Sequence, residues 1–222
     1  QHLDDLENEA DNPVLRQYLV TGSGQLREWD LVVVQGQSQI SGLDNAHPQK
    51  QEQLAALPEI MRYVEANPRT TPMLMMTWGY ADGDPLNPQR FTSYTEMQRY
   101  LWTGYEELAG VASRISLTAE TFVAPAGLGY QLVYEDLRDA GEDPLAANSR
   151  FRQLYHPDMR HPGLPGTYLA ANIVTGSYTG QRTAELTFVP ANLDPEFAAY
   201  LREVADRVVF GDRFGVRDYP WR

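Results

Sequence analysis

Three short apolar runs, each breaking into a glycine- or proline-rich loop and separated by helical patterns, constrain this chain most. The first, "DLVVVQ" at 30–35, is continuous and β-branched, which suits a strand covered on both faces. "PMLMMTW" at 72–78 and "TFVAP" at 121–125 have the same character. Between them, 49–66 repeats Leu54, Leu57, Ile60, Met61 and Val64 near helical spacing, with Pro58 as a candidate kink. The segment 94–113 repeats Met97, Leu101, Tyr105, Leu108 and Val111, with Glu96, Glu106 and Glu107 on its other faces. Further helices are expected at 130–140, 164–176 and 195–210. This alternation predicts a three-layer α/β domain around a parallel sheet. No internal repeat or low-complexity linker divides the chain, so 1–210 reads as one domain and 211–222 as an ordered extension. "TGSG" at 21–24 reads as a turn.

Open α/β sheets bind ligands beyond the carboxyl ends of their strands. That rule gathers "QGQSQ" (35–39), "WGYADGD" (78–84) and "PAGLGY" (125–130) on one rim, with "HPDMRH" (156–161) on a loop before the 164–176 helix. Composition narrows what such a rim can do. A formal net charge of −12 argues against a nucleic acid or an anionic membrane as partner, since both need clustered Lys and Arg. Lys50 is the only lysine and reads as an effect of genome composition. Without cysteine there is no disulfide, zinc ribbon or thiol nucleophile. No apolar run approaches the roughly 20 residues that span a bilayer. The opening "QHLDDLENEADNP" has neither a charged n-region nor an apolar h-region, so a processed or absent signal peptide is expected.

Asp158 and His161 stand three apart in a loop bounded by Pro157 and Pro162. A carboxylate so placed can hold one ring nitrogen of the histidine, leaving the other to take a proton from a hydroxyl. The same spacing also describes a turn aspartate beside a surface histidine. His156 could join them in a metal cluster, but Pro157 stands between it and His161 and no His-x-x-x-His helix supports a site, so no metal is expected. Gln35 and Gln37 follow the first strand, where an amide N–H could face a developing negative charge. They could equally satisfy loop carbonyls. Trp78 is placed to line the cleft and contact substrate, whereas Asp82 and Asp84 read as turn residues. His47 reads as a solvated loop residue.

The blocks "VVVQGQS", "MMTWGYADGD", "VAPAG" and "LYHPDMRHPGLPGTYLAANIVTGSYTG", in that order, resemble the SGNH (GDSL-type) hydrolase superfamily. The likeness runs from about 29 to 210 and is strongest to bacterial members in which D-x-x-H-P precedes a glycine and a "YLAA" helix. It implies a flavodoxin-like parallel sheet and a cofactor-free serine ester hydrolase. Asp158 would orient His161, which would act as general base and then general acid. The substrate would be an acyl or acetyl ester, carbohydrate esters included, and the expected setting is secreted or periplasmic. Standard members carry Gly-x-Asn-Asp after the first strand read here. This chain departs from that and is similar to branches with Gln-Gly-Glu or Leu-Gln-x-Gln-Ser, so Gln35, with Gln37 in reserve, would serve the oxyanion.

The family's nucleophile lies in a Gly-Asp-Ser or Gly-Asn-Ser block, and neither triplet occurs in these 222 residues. Ser23, Ser38 and Ser41 lie on the wrong element or after the wrong strand. The expectation is an SGNH domain without its first two strands. Its strand at 30–35 would then be an exposed edge, which natural folds avoid, so polypeptide beyond these residues is expected to cover it. The alternative is a non-catalytic SGNH-like module that binds a ligand or builds a larger assembly.

Overall fold

The computed structural model describes residues 29–65, 69–115, 121–212, 219 and 221. The turn expected at 21–24 and most of the extension at 211–222 lie outside them. Strands β1 (Leu31–Val34), β2 (Thr71–Met75) and β3 (Phe122–Ala124) form a parallel sheet in the order β1-β2-β3. The register pairs Leu31 with Thr71 and Met73 with Phe122. The helices are α1 (Pro48–Glu65), α2 (Tyr94–Ile115), α3 (Ala126–Asp139), the one-turn α4 (Arg150–Gln153), α5 (Leu164–Thr179) and α6 (Pro195–Phe210). α1 packs on α2, α5 on α6, and α3 against α2, α5 and α6. This is an α/β fold with the strand–helix alternation read from the sequence.

Two boundaries move for packing reasons. α3 starts at Ala126, not 130, because the two glycines that look like loop are contact points. A Cβ on Gly127 would strike Thr77 O and lie 2.7 Å from Gln98 Nε2, and one on Gly129 would lie 2.5 Å from Ile173 Cδ1. Glycine here lets the helix seat against β2's exit and α5. α5 runs on to Thr179, where Gly180 in the left-handed region (φ 69°) closes it.

The core has a main cluster between the sheet and the helices and a smaller one formed by Leu43, Tyr80, Phe91, Met97 and Leu101. Met73 and Leu74 of β2, Phe122 and Ala124 of β3, and Leu101, Leu128, Leu169, Leu201 and Val208 of the helices are all nearly or fully inaccessible. β1 is the exception to its continuous apolar reading. It pairs only with β2 among the described residues, and Val33 remains 41% exposed, so the expected cover on both faces is not met there.

Lys50 does more than composition suggested. Its side chain is wholly buried, and its ammonium donates to Ser41 O at 2.7 Å and lies 3.3 Å from Glu107 Oε2. Desolvation lowers its pKa, against the opposing pull of Glu107. With Arg90 Nε donating to Gly42 O at 2.6 Å, it clamps the turn that ends the segment after β1.

Candidate functional site

The site loop begins where α4 ends and closes on itself before α5. Tyr155 and Pro162 form a bridge; His156 N donates to His161 O at 2.8 Å, and Gly163 N to Leu154 O at 2.8 Å. Met159 takes the tip, with φ 59°, a conformation unusual for a side-chain-bearing residue. The tight reversal turns His161 back toward Asp158.

Asp158 uses both oxygens. Oδ1 accepts from the backbone N–H of Arg160 and of His161, each at 2.9 Å, which fixes the carboxylate plane. Oδ2 lies 2.7 Å from His161 Nδ1. The hydrogen bond with His161, then the two amides, hold the Asp158 carboxyl well below the usual carboxylate range. An ionised Asp158 requires the proton on Nδ1, leaving Nε2 of His161 as the free acceptor. The His161 side chain is 75% exposed, so that nitrogen faces open space.

His156 converges as well. Its Nδ1 lies 3.2 Å from the same Asp158 Oδ2, so the two histidines on either side of Pro157, which were expected to point apart, share one oxygen. The reversal at Met159 brings them together. Among the described residues, no group of three or more His, Cys, Asp or Glu has metal-site geometry.

The segment after β2 is the keel beneath this loop. Trp78 Nε1 donates to Arg160 O at 3.0 Å, Ala81 N to Met159 O at 3.0 Å, and Tyr155 OH to Gly79 O at 2.6 Å. Gln98 Oε1 accepts from Gly79 N at 2.9 Å. The indole of Trp78 is 8% exposed and stacks on Tyr130 at 4.6 Å and 7°. One face of the indole is thus covered by Tyr130, and little of the side chain stays accessible under the loop. Asp82 pairs with Arg152 of α4 at 2.7 Å, and Asp84 caps its own turn through Leu86 N and Asn87 Nδ2.

The same keel holds the segment after β1. Thr77 Oγ1 donates to Ser38 O at 2.9 Å, and Tyr80 OH to Gln39 Oε1 at 3.1 Å. Gln35 and Gln37 are exposed, and neither amide is tied to a loop carbonyl among the described residues. The 35–39 and 156–161 segments thus hang from one five-residue stretch, 77–81, at the carboxyl end of the sheet. Tyr155, Gln98 and Arg152 escaped the sequence reading, since their partners lie 76, 19 and 70 residues away. His47 is half-buried, not solvated.

Chemically, the loop offers an oriented imidazole with an open proton-accepting nitrogen, and the neighbouring segment offers amides without a partner among the described residues. No protein-family model and no curated protein matches this chain. Among solved structures it is similar to a DUF4886 family protein from Bacteroides uniformis, with a TM-score of 0.62 and 20% identity over 83% of this chain and 64% of that one. It is also similar to a candidate SGNH hydrolase from Slackia heliotrinireducens, with a TM-score of 0.52 and 18% identity over 78% and 76% of the two chains. The chain spans 64% of the length of the Bacteroides protein. At such identities the likeness is one of fold, and the fold is SGNH-like.

Proposed function

We propose that the chain carries the acid–base half of an SGNH-class ester hydrolase acting on acyl or acetyl esters, carbohydrate-borne esters included. The observation that supports it best is the 2.7 Å contact of His161 Nδ1 with a doubly amide-anchored Asp158, beside an open Nε2. A serine from polypeptide outside these 222 residues is the nucleophile of this reading. Its hydroxyl attacks the ester carbonyl carbon while His161 Nε2 takes the proton, and Asp158 stabilises the imidazolium. Gln35, or Gln37 in its place, supplies an amide N–H to the tetrahedral oxyanion. His161 then protonates the departing alkoxide, and a water molecule activated by the same nitrogen releases the acid.

The same outside polypeptide would cover β1, whose outer edge is unpaired among the described residues and whose Val33 is exposed. A secreted or periplasmic setting belongs to this reading, supported by the resemblance to bacterial members. None of the described helices is long and apolar enough to cross a membrane.

The test is hydrolysis of p-nitrophenyl acetate by the full natural protein, beside its His161→Ala and Gln35→Ala variants. Loss of the general base should lower kcat by roughly 10²–10⁴-fold, and loss of the oxyanion amide by about a hundredfold. A folded protein without serine-dependent turnover would instead be an SGNH-like binding or structural module.

A further inference from the structure

Arg160 belongs to the site loop, yet the proposed mechanism leaves its side chain unused. Its backbone is fixed at both ends, N–H to Asp158 Oδ1 at 2.9 Å and C=O accepting from Trp78 Nε1 at 3.0 Å, so the point and angle at which its side chain leaves the loop are set by the fold. The guanidinium lies 5.5 Å from the centre of the Tyr80 ring, and no carboxylate of the described residues pairs with it. Arg150 and Arg182 likewise meet aromatic rings with no carboxylate partner among the described residues, so what sets Arg160 apart is its place in the site loop, one residue from His161.

Arg160 lines a groove of about 400 Å³ together with Asp158, Met159, Pro85, Pro88 and Phe91. That volume suits a small organic molecule. The carboxylates of this groove are already engaged. Asp82 is gripped by Arg152 at 2.7 and 3.3 Å, Asp84 accepts from Leu86 N at 3.0 Å and Asn87 Nδ2 at 2.7 Å, and Asp158 serves His161. The strongest group left for a ligand is the planar fork of Arg160, one residue from His161. A guanidinium fork matches a carboxylate bidentately, and such charge-assisted bonds are about twice as strong as neutral ones.

We propose that Arg160 makes this groove a subsite for a carboxylate on the ester substrate, so that anionic esters are favoured over neutral ones; the inference rests on the hydrolase reading above. The overall charge of −12 opposes any anion, so the preference comes from the local fork and weakens as salt rises.

Two measurements on the full natural protein test this. In the first, succinate and its neutral diamide, succinamide, are titrated while the amide NMR signals of 82–92 and 158–161 are followed. Succinate should shift them and succinamide should not. Arg160→Gln should abolish the succinate response, and His161→Ala should retain it. In the second, kcat/KM is compared for mono-p-nitrophenyl succinate and p-nitrophenyl acetate. The succinate-to-acetate ratio should fall about tenfold or more in Arg160→Gln, mainly through KM, with Arg160→Lys in between. His161→Ala should lose both reactions. Succinate binding that survives Arg160→Gln, or an unchanged ester ratio, overturns the subsite while leaving the hydrolase reading intact. Succinate binding through Arg160 without hydrolysis of either ester supports the subsite and removes the hydrolase reading.

Discussion

Two glycine-to-alanine changes, six residues apart on α2, should move stability in opposite directions. A Cβ on Gly104 would sit 2.5 Å from Ser41 C, closer still to Ser41 O, and 3.3 Å from Gly42 N. All three atoms are backbone in a turn held by Lys50 and Arg90, so none can swing away. An ordinary contact begins near 3.4 Å, so relieving the Ser41 C contact alone takes about 0.9 Å (3.4 − 2.5), and the closer Ser41 O requires α2 and the turn to separate further still. Overpacking of this kind costs about 2–3 kcal/mol, and alanine's better helix propensity returns about 1, leaving a net loss of about 1–2 kcal/mol. At Gly110 the nearest atom is Arg114 Nη1 at 3.5 Å, so only the propensity gain of up to about 1 kcal/mol remains. For a chain of this size, Gly104→Ala should melt about 2–8 °C lower and Gly110→Ala about 2–4 °C higher, by circular dichroism. Gly104→Ala also displaces the far end of the Gln35–Gln39 segment, so its kcat should fall where that of Gly110→Ala does not. A Gly104→Ala protein as stable as Gly110→Ala would refute the seating of α2 on the Ile40–Gly42 turn, and with it the support claimed for Gln35.

Lys50, the only lysine, is fully buried, so an amine-reactive acylating reagent should modify it only once urea unfolds the protein; labelling in native buffer at a free-lysine rate would contradict that. Trp78→Phe removes the donor to Arg160 O and should lower kcat on a neutral ester by roughly ten- to a hundredfold through misplacement of His161, at a stability cost of about 1 kcal/mol. A Trp78→Phe enzyme with unchanged kcat would show that this tether does not position the base. Asp158 should stay ionised below the pH at which unfolded aspartate, near 3.9, takes up its proton. Because its folded pKa is depressed, the stability it contributes is present above about pH 3.9 and is lost as pH falls through the folded value. Carboxyl carbon NMR that finds Asp158 titrating near 3.9 would remove the hydrogen bonding described for it.

The strands and most helices were legible because burial on both sides of a parallel sheet leaves continuous apolar runs, while helices keep a 3.6-residue pattern. Pro195–Phe210 was read to the residue because Asp194, whose side chain caps Phe197 N, and Pro195 mark its start. The start of α3 was missed because glycine signals a loop locally, and only the tertiary approach to Thr77 O and Ile173 makes it a helix. In the site, the spacing of Asp158 and His161 was readable since both lie in one turn. The depth of Trp78 was not legible, because an aromatic at a sheet's rim looks the same in sequence whether its face is free or covered, and the cover, Tyr130, lies 52 positions on. The convergence of His156 depended on the left-handed backbone at Met159, which has no glycine to announce it.

Hydrolase chemistry here requires that the Asp158–His161 pair activate a serine. The direct measurement is labelling of the full natural protein with a fluorophosphonate, mapping of the modified residue by mass spectrometry, and comparison of the rate with His161→Ala and Asp158→Asn. One serine should be labelled in the wild type, outside these 222 residues, and each variant should slow its modification by about a hundredfold or more. Labelling as fast in His161→Ala as in the wild type, or no labelled serine in a folded protein, would contradict the proposed hydrolase.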